Sequence, residues 1–77
     1  MPLTHERLTL EIVDGEHHWY LQSRNAQKTA KAEEGFSSAR SALRNARDVL
    51  GTRRYNAVEI RDLTERGRFS RLPLMPS

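Results

Sequence analysis

The 77-residue chain contains no cysteine, which excludes disulfide bridges and thiolate metal centres. It also has no apolar run near the roughly 20 residues that a membrane-spanning helix needs. Its opening residues lack the basic-then-apolar order of a secretory signal peptide, so we expect a cytoplasmic protein without membrane contact. The four glycines stand singly, which excludes a glycine-rich phosphate loop.

Residues that would build a catalytic or metal site are also few. His17 and His18 are neighbours, and adjacent strand residues face opposite ways, so they do not bind one ion together. The carboxylates of residues 33–34, 62 and 65 come with no nucleophile and no general base at a useful spacing. We therefore expect a non-enzymatic protein that binds neither a metal nor a cofactor.

The length and composition predict one small domain over residues 1–77. Hydrophobic residues make up 36% of the chain and charged residues 30%, which is typical of a soluble protein towards the polar end. A core this small is marginal on its own. A second copy of the chain, giving a homodimer, or another partner is therefore expected to cover apolar surface.

Positive charge is concentrated in the second half of the chain. Residues 39–77 carry nine arginines and four acidic residues, whereas residues 1–38 carry four basic and six acidic residues. Eleven of the thirteen cations are arginine, whose planar guanidinium suits phosphate and carboxylate. The asymmetry indicates a basic surface for an anionic partner. Codon bias in a GC-rich genome is the alternative explanation of the arginine excess.

The segment 36–51 has the pattern of one amphipathic helix. Ser37 is the expected N-cap, because its hydroxyl can accept from a first-turn N–H. Gly51 follows the last apolar residue and can close the helix in a left-handed conformation. The residues at helical spacing that we expect to face a core are Ala39, Ala42, Leu43, Ala46, Val49 and Leu50.

Arginines form a stripe on another face of this helix. Arg40, Arg44 and Arg47 follow one another at i, i+4 and i+7, and the helix leads directly to Arg53 and Arg54 in a short loop. These five residues are the predicted partner-binding site, either for RNA, DNA or an acidic protein. A merely solvated helix face is the alternative.

Two strands joined by a hairpin turn are predicted before the helix. Residues 8–13 alternate apolar and polar, Asp14-Gly15 is a strong turn signal, and residues 16–22 are rich in strand formers. Period-two alternation places Tyr20 on the exposed face, where it could stack on a base or simply pair across strands. The expected core residues of the hairpin are Leu8, Leu10, Ile12, Trp19 and Leu21.

The remaining pattern completes an α+β fold. A turn at 24–27, in which Asn25 tolerates a left-handed conformation, leads to a third strand at 28–32. Val58 and Ile60 mark a fourth strand within 55–63. A turn at 64–67 is expected next, followed by a short fifth strand at 68–72 or by a loose arm. The prolines end regular structure, so residues 73–77 are expected to be a flexible tail or part of an apolar arm that packs on a partner. The prediction is a small antiparallel sheet of four to five strands, in the order β-β-β-α-β-β, with one amphipathic helix on one face.

The region from Trp19 to Val49 resembles the YegP-like small bacterial and archaeal proteins of unknown function. The similarity rests on an aromatic strand, a turn, a Glu-Gly-aromatic step and a serine-initiated helix. The residues that carry it are Trp19, Leu21, Asn25, Glu34-Gly35-Phe36, Ser38, Ala42 and Val49. Ala26 replaces the turn glycine of the family, Lys28 an apolar residue and Ala46 a large aliphatic one.

This resemblance implies a strand–strand–strand–helix fold and pairing of two such repeats, which in a one-repeat chain means a homodimer. It implies no catalytic residue.

The functional expectation is a basic adaptor that docks on a protein or nucleoprotein complex, or on nucleic acid, through the arginines. An alternative is a phage or mobile-element inhibitor of host nucleic-acid machinery, of the anti-CRISPR kind.

Overall fold

The computed structural model of the chain describes residues 3–64 and 66–74. It shows an α+β fold in which one sheet is covered on one face by a helix. The elements are β1 (Arg7–Val13), β2 (Glu16–Gln22), β3 (Lys28–Lys31), α1 (Ala39–Leu50), α2 (Thr52–Asn56) and β4 (Glu59–Asp62).

The four strands lie in the order β3-β2-β1-β4, and the sheet is mixed rather than wholly antiparallel. β1 pairs antiparallel with β2, and β2 with β3, but β4 pairs parallel with β1. The connection through α1 and α2 carries the chain back to the end of the sheet where β1 and β3 begin. β4 therefore runs in the same direction as β1 and β3. The expected fifth strand is reduced to one antiparallel bridge between Ile60 and Arg71.

The β1–β2 hairpin turn has the predicted residues and geometry. Asp14 and Gly15 both have positive φ, 52° and 80°, and Val13 pairs with Glu16. A two-residue turn with two positive φ values matches the right-handed twist of its strands. In the next loop the prediction was wrong about position, because Ala26 and not Asn25 is left-handed, with φ of 64°.

The helix starts one residue later than the predicted cap implied. Ser38 is the N-cap, and its Oγ accepts from the Ser41 N–H at 3.1 Å, so the assignment of this role to Ser37 was wrong. The reason lies in Phe36, which forms an antiparallel bridge with His17 and keeps the chain extended up to that point. Gly51 does end α1 with a positive φ of 87°.

A second helix occupies the place of the predicted loop at 52–54. The short helix α2 follows Gly51 directly, and the Tyr55 N–H donates to the Gly51 carbonyl at 2.9 Å. The predicted fourth strand is correspondingly shorter than 55–63 and begins at Glu59. Val58, one residue before β4, is fully buried.

The core lies between α1 and the helix-facing side of the sheet. Trp19 is buried at its centre, and its Nε1 donates to Asn45 Oδ1 of α1 at 2.9 Å, which fixes how the helix is turned relative to the sheet. The buried hydrophobic residues are Leu8, Leu10, Trp19, Leu21, Ala32, Ala42, Leu43, Ala46, Val58 and Ile60, with Ala39 and Leu50 partly buried against them.

Two predicted core residues are exposed instead. Ile12 is 42% exposed because it lies one residue from the hairpin turn, at the end of the sheet. Val49 is 61% exposed because its side of α1 faces short β3 and the loop after it, near Lys31 and Glu33. None of the helices in the described part of the chain is long and apolar enough to cross a bilayer.

The C-terminal residues return to the fold as far as they are described. The Leu74 N–H donates to the Asn56 carbonyl at 2.7 Å, although the Leu74 side chain is exposed. Residues 75–77 of the predicted flexible tail lie outside the described residues.

Candidate functional site

The three arginines of the predicted stripe lie on the face of α1 turned away from the sheet. Arg40, Arg44 and Arg47 are all exposed, opposite the buried Ala42 and Ala46. Within residues 3–64 and 66–74 none of them forms an ion pair. Their guanidinium donors are therefore available to a ligand.

These arginines line one side of a groove rather than standing on a flat surface. The groove has a volume of about 280 Å³, and no carboxylate is among the lining residues described. We call it the basic groove, and the residues that line it are Arg40, Leu43, Arg44, Arg47, Tyr55 and Phe69. A surface with one sign of charge and low-dielectric walls strengthens the local potential.

Two aromatic rings come from other parts of the chain. Tyr55 is placed by α2 and contacts Arg71, whose guanidinium lies 4.9 Å from the ring centroid and whose Nη2 donates to the Tyr55 carbonyl at 2.9 Å. Phe69 is placed by its own N–H, which donates to Asp62 Oδ2 at 3.1 Å. Both rings are partly buried against the core, so their positions are fixed before any ligand arrives.

Asp62 organises the loop that carries Phe69. It is buried, and its carboxylate accepts hydrogen bonds from the Thr64 N–H and hydroxyl and from the Phe69 N–H. Burial alone would raise the pKa of Asp62, but these hydrogen bonds and the nearby His17 outweigh it, so the pKa lies below its usual value. The carboxylate therefore stays ionised at neutral pH and holds the loop closed.

A larger cavity of about 450 Å³ continues the groove at the start of α1. Arg40 and Phe69 line both spaces, and Arg66 and Arg68 bring two further exposed cations to the cavity. His17 lies on its wall, and its buried Nδ1 has no hydrogen-bond partner among the described residues. Positive charge thus extends beyond the three arginines of the helix.

Arg53 and Arg54, which were predicted to continue the arginine stripe from a loop, lie away from it in the structure. Arg53 is exposed on α2, outside the residues that line the basic groove. Arg54 forms a bidentate pair with Glu6, at 3.1 Å from Nε and 2.7 Å from Nη2. The hydrogen bond to the Glu6 carboxylate raises the pKa of Arg54. It also occupies the Nε and Nη2 donors through which Arg54 would bind a partner.

Tyr20 does not belong to the same surface. It projects from the open face of the sheet, opposite α1, and pairs with Thr9 and Lys31 on the neighbouring strands. One face of its ring is already covered by Lys28, whose Nζ lies 4.3 Å from the centroid. The predicted site residues are therefore divided between two sides of the sheet.

Sequence reasoning missed Tyr55, Phe69, Arg66 and Arg68. Tyr55 was assigned to a strand and Phe69 to another, so neither was considered as a groove residue. The available signal was local, since Tyr55 directly follows the Arg53-Arg54 pair and Phe69 stands between Arg68 and Ser70. Aromatic residues next to arginines are typical of sites for single-stranded nucleic acid.

Within the described residues, no group of three or more histidine, aspartate or glutamate side chains is placed to hold a metal ion. No family model, curated protein or solved structure shows significant similarity to the chain. The resemblance to YegP-like proteins therefore stays a prediction.

Proposed function

We propose that this protein is a non-enzymatic binding protein that docks on an anionic macromolecule through the basic groove. One observation carries the proposal: three exposed arginines on one helix face have no ion-pair partner among the described residues, and no carboxylate is among those lining their groove. Arg54 differs from them, because its guanidinium is already engaged by the Glu6 carboxylate.

The hydroxyl and acidic groups of the neighbouring cavity support a binding role rather than a catalytic one. Asp62 is engaged by Thr64 and Phe69, and it makes no hydrogen bond to His17 among the described contacts. Ser38 is engaged as the cap of α1. A serine nucleophile requires a base within hydrogen-bond reach that is itself oriented by a third group.

The proposal is tested by removing the stripe and comparing it with an equal loss of charge elsewhere. The triple variant Arg40→Ala, Arg44→Ala, Arg47→Ala is expected to fold, because all three side chains are exposed and alanine is the better helix former. The matched control is Arg24→Ala, Lys31→Ala, Arg61→Ala, whose residues are also exposed but do not line the groove.

Chromatography on immobilised heparin, a generic polyanion, provides the measurement. We expect the stripe variant to elute at clearly lower salt than the control variant, although both have lost three positive charges. Equal elution of the two variants would mean that only net charge matters, and the proposed groove would then have no special role. Circular dichroism of both variants confirms that the fold is retained.

A further inference from the structure

We propose that the basic groove binds single-stranded nucleic acid, with phosphates on the arginines and base faces against Tyr55 and Phe69. This inference rests on the proposed function and specifies its partner. It depends on the combination of charge and aromatic surface in one groove, which a partner that offers only carboxylates would not use.

The arginines are arranged as a row that follows the helix axis. With a rise of about 1.5 Å per residue, Arg40, Arg44 and Arg47 extend over about 10 Å of α1. A linear polyanion lying along the helix meets each of them in turn, and each guanidinium can hold a phosphate through two parallel hydrogen bonds. The row is continued at the start of α1 by Arg66 and Arg68 of the adjoining cavity.

The aromatic rings of Tyr55 and Phe69 line the same groove as this row, together with the buried Leu43. Every base has an aromatic face, so stacking on Tyr55 or Phe69 would be tolerant of sequence. Both rings are held in place, Tyr55 by Arg71 and Phe69 by Asp62, and little ordering is needed when a base binds. The groove thus combines a backbone track with stacking surfaces, which is how sequence-independent single-strand binding works.

A double helix offers only half of these contacts. Its phosphates are accessible to the arginines, but its base faces are buried in stacks and cannot reach Tyr55 or Phe69. We therefore expect a preference for single strands over duplex of the same length. Because phosphates and base faces are common to DNA and RNA, we expect the two single strands to bind within a few-fold of one another.

Fluorescence anisotropy with labelled oligo(dT), labelled oligo(U) and a labelled duplex of equal length tests the inference. Phe69→Leu and Tyr55→Leu keep apolar volume and remove the ring, and Phe36→Leu is the matched control, since Phe36 is partly buried but lies outside the groove. We expect each groove variant to weaken single-strand binding by about fivefold or more, as is typical for loss of one stacking contact, and the control to leave it unchanged.

The salt dependence gives a second readout that does not depend on the aromatic residues. Each phosphate contact contributes about 0.7 to the slope of log Kd against log salt for single strands, so the stripe variant should lower that slope by about 2. If Tyr55→Leu or Phe69→Leu does not fold, the stripe variant, whose substitutions are all at exposed positions, still tests the inference. An unchanged slope overturns the inference, as does absence of single-strand binding by the wild type.

The failures of the two proposals differ. If the wild type binds no oligonucleotide but its retention on heparin still depends on the stripe, the proposed docking function stands and the partner is an acidic protein. If binding to single strands is seen but Phe69→Leu and Tyr55→Leu have no effect, the arginines act alone and the base contacts proposed for the groove are contradicted.

Discussion

At position 26 an alanine adopts a conformation that glycine tolerates far better. Its φ of 64° places the methyl group against the following carbonyl, at a cost of about 1–2 kcal/mol. Glycine removes this strain but loses more entropy on folding, about 0.5–1 kcal/mol. We therefore expect Ala26→Gly to raise the free energy of unfolding by about 0.5–1 kcal/mol, measured by urea denaturation.

Ala30→Gly is the control for that substitution. Ala30 lies in β3 without a positive φ and packs against the core, so glycine there should destabilise the protein. A stability gain at both positions, or at neither, would contradict the role assigned to the Ala26 backbone.

Asp62 is a second residue that can be tested, because its carboxylate accepts hydrogen bonds that stabilise the fold. Asp62→Asn replaces one acceptor oxygen by a donor that faces the N–H groups of Thr64 or Phe69. We expect a loss of about 1–3 kcal/mol in the free energy of unfolding at pH 7, because buried donors lose their acceptor. Asp48→Asn, at an exposed position of α1, is the control and should change stability by less than about 0.5 kcal/mol.

The pH dependence follows from the lowered pKa of Asp62. A carboxylate with a folded-state pKa below its unfolded value of about 3.9 stabilises the protein above that pH, and this contribution is lost as the pH falls through the folded-state pKa. The wild type should therefore lose stability in acid through this group, and Asp62→Asn should lose less over the same range. Parallel acid unfolding curves for the two proteins would contradict this role.

The left-handed turn residue shows why such positions are hard to predict from sequence. Asn25 has the side chain that favours this conformation, but the loop closes with the Ala26 N–H donating to Ser23 O and the Ser23 N–H donating to Gln27 O. These bonds between β2 and β3 determine which residue is left-handed. Local propensity is a weaker term than the pairing that the hairpin imposes.

At the scale of the elements, two neighbouring serines at the start of α1 have different roles. Ser38 accepts from the Ser41 N–H, whereas Ser37 is exposed. We expect Ser38→Ala to lower the free energy of unfolding by about 1 kcal/mol and Ser37→Ala to have almost no effect. Urea denaturation of the two variants checks this, and equal effects would mean that the cap has been assigned to the wrong residue.

Periodicity predicted the body of α1 and its end at Gly51, but it could not place the first turn. The start is decided by Phe36, which pairs with His17 of a strand distant in sequence. Period-two alternation likewise predicted the buried hydrophobic residues of β1 and β2 except at Ile12, but it did not predict that Thr9 is buried. Ends of elements depend on tertiary contacts, and these are what a single sequence does not contain.

At the scale of the whole molecule, both edges of the sheet resist pairing with a second copy. The outer edge of β4 is occupied by the bridge to Arg71, and β3 is short, with Lys28 and Lys31 exposed on it. The homodimer expected from sequence is untested, and the described edges offer it no long free strand to pair with. We expect light scattering to give a monomer of 8.9 kDa, and twice that mass would restore the homodimer.

The candidate site was predictable only in part, for reasons of topology. The arginine stripe belongs to one helix, so its spacing alone places Arg40, Arg44 and Arg47 on one face. Tyr55 and Phe69 reach the same groove from α2 and from the loop after β4, and no local pattern connects these segments. The mixed sheet, which places β4 beside β1, likewise depends on how the whole chain packs.

Titration of the isotope-labelled protein with a heparin oligosaccharide, followed by amide chemical shifts, is the most direct test of the groove as the docking surface. We expect the shifts to concentrate on α1 around Arg40, Arg44 and Arg47 and on Tyr55, with the hairpin turn unaffected. Shifts centred instead on Tyr20 and the open face of the sheet would contradict a docking function for the basic groove.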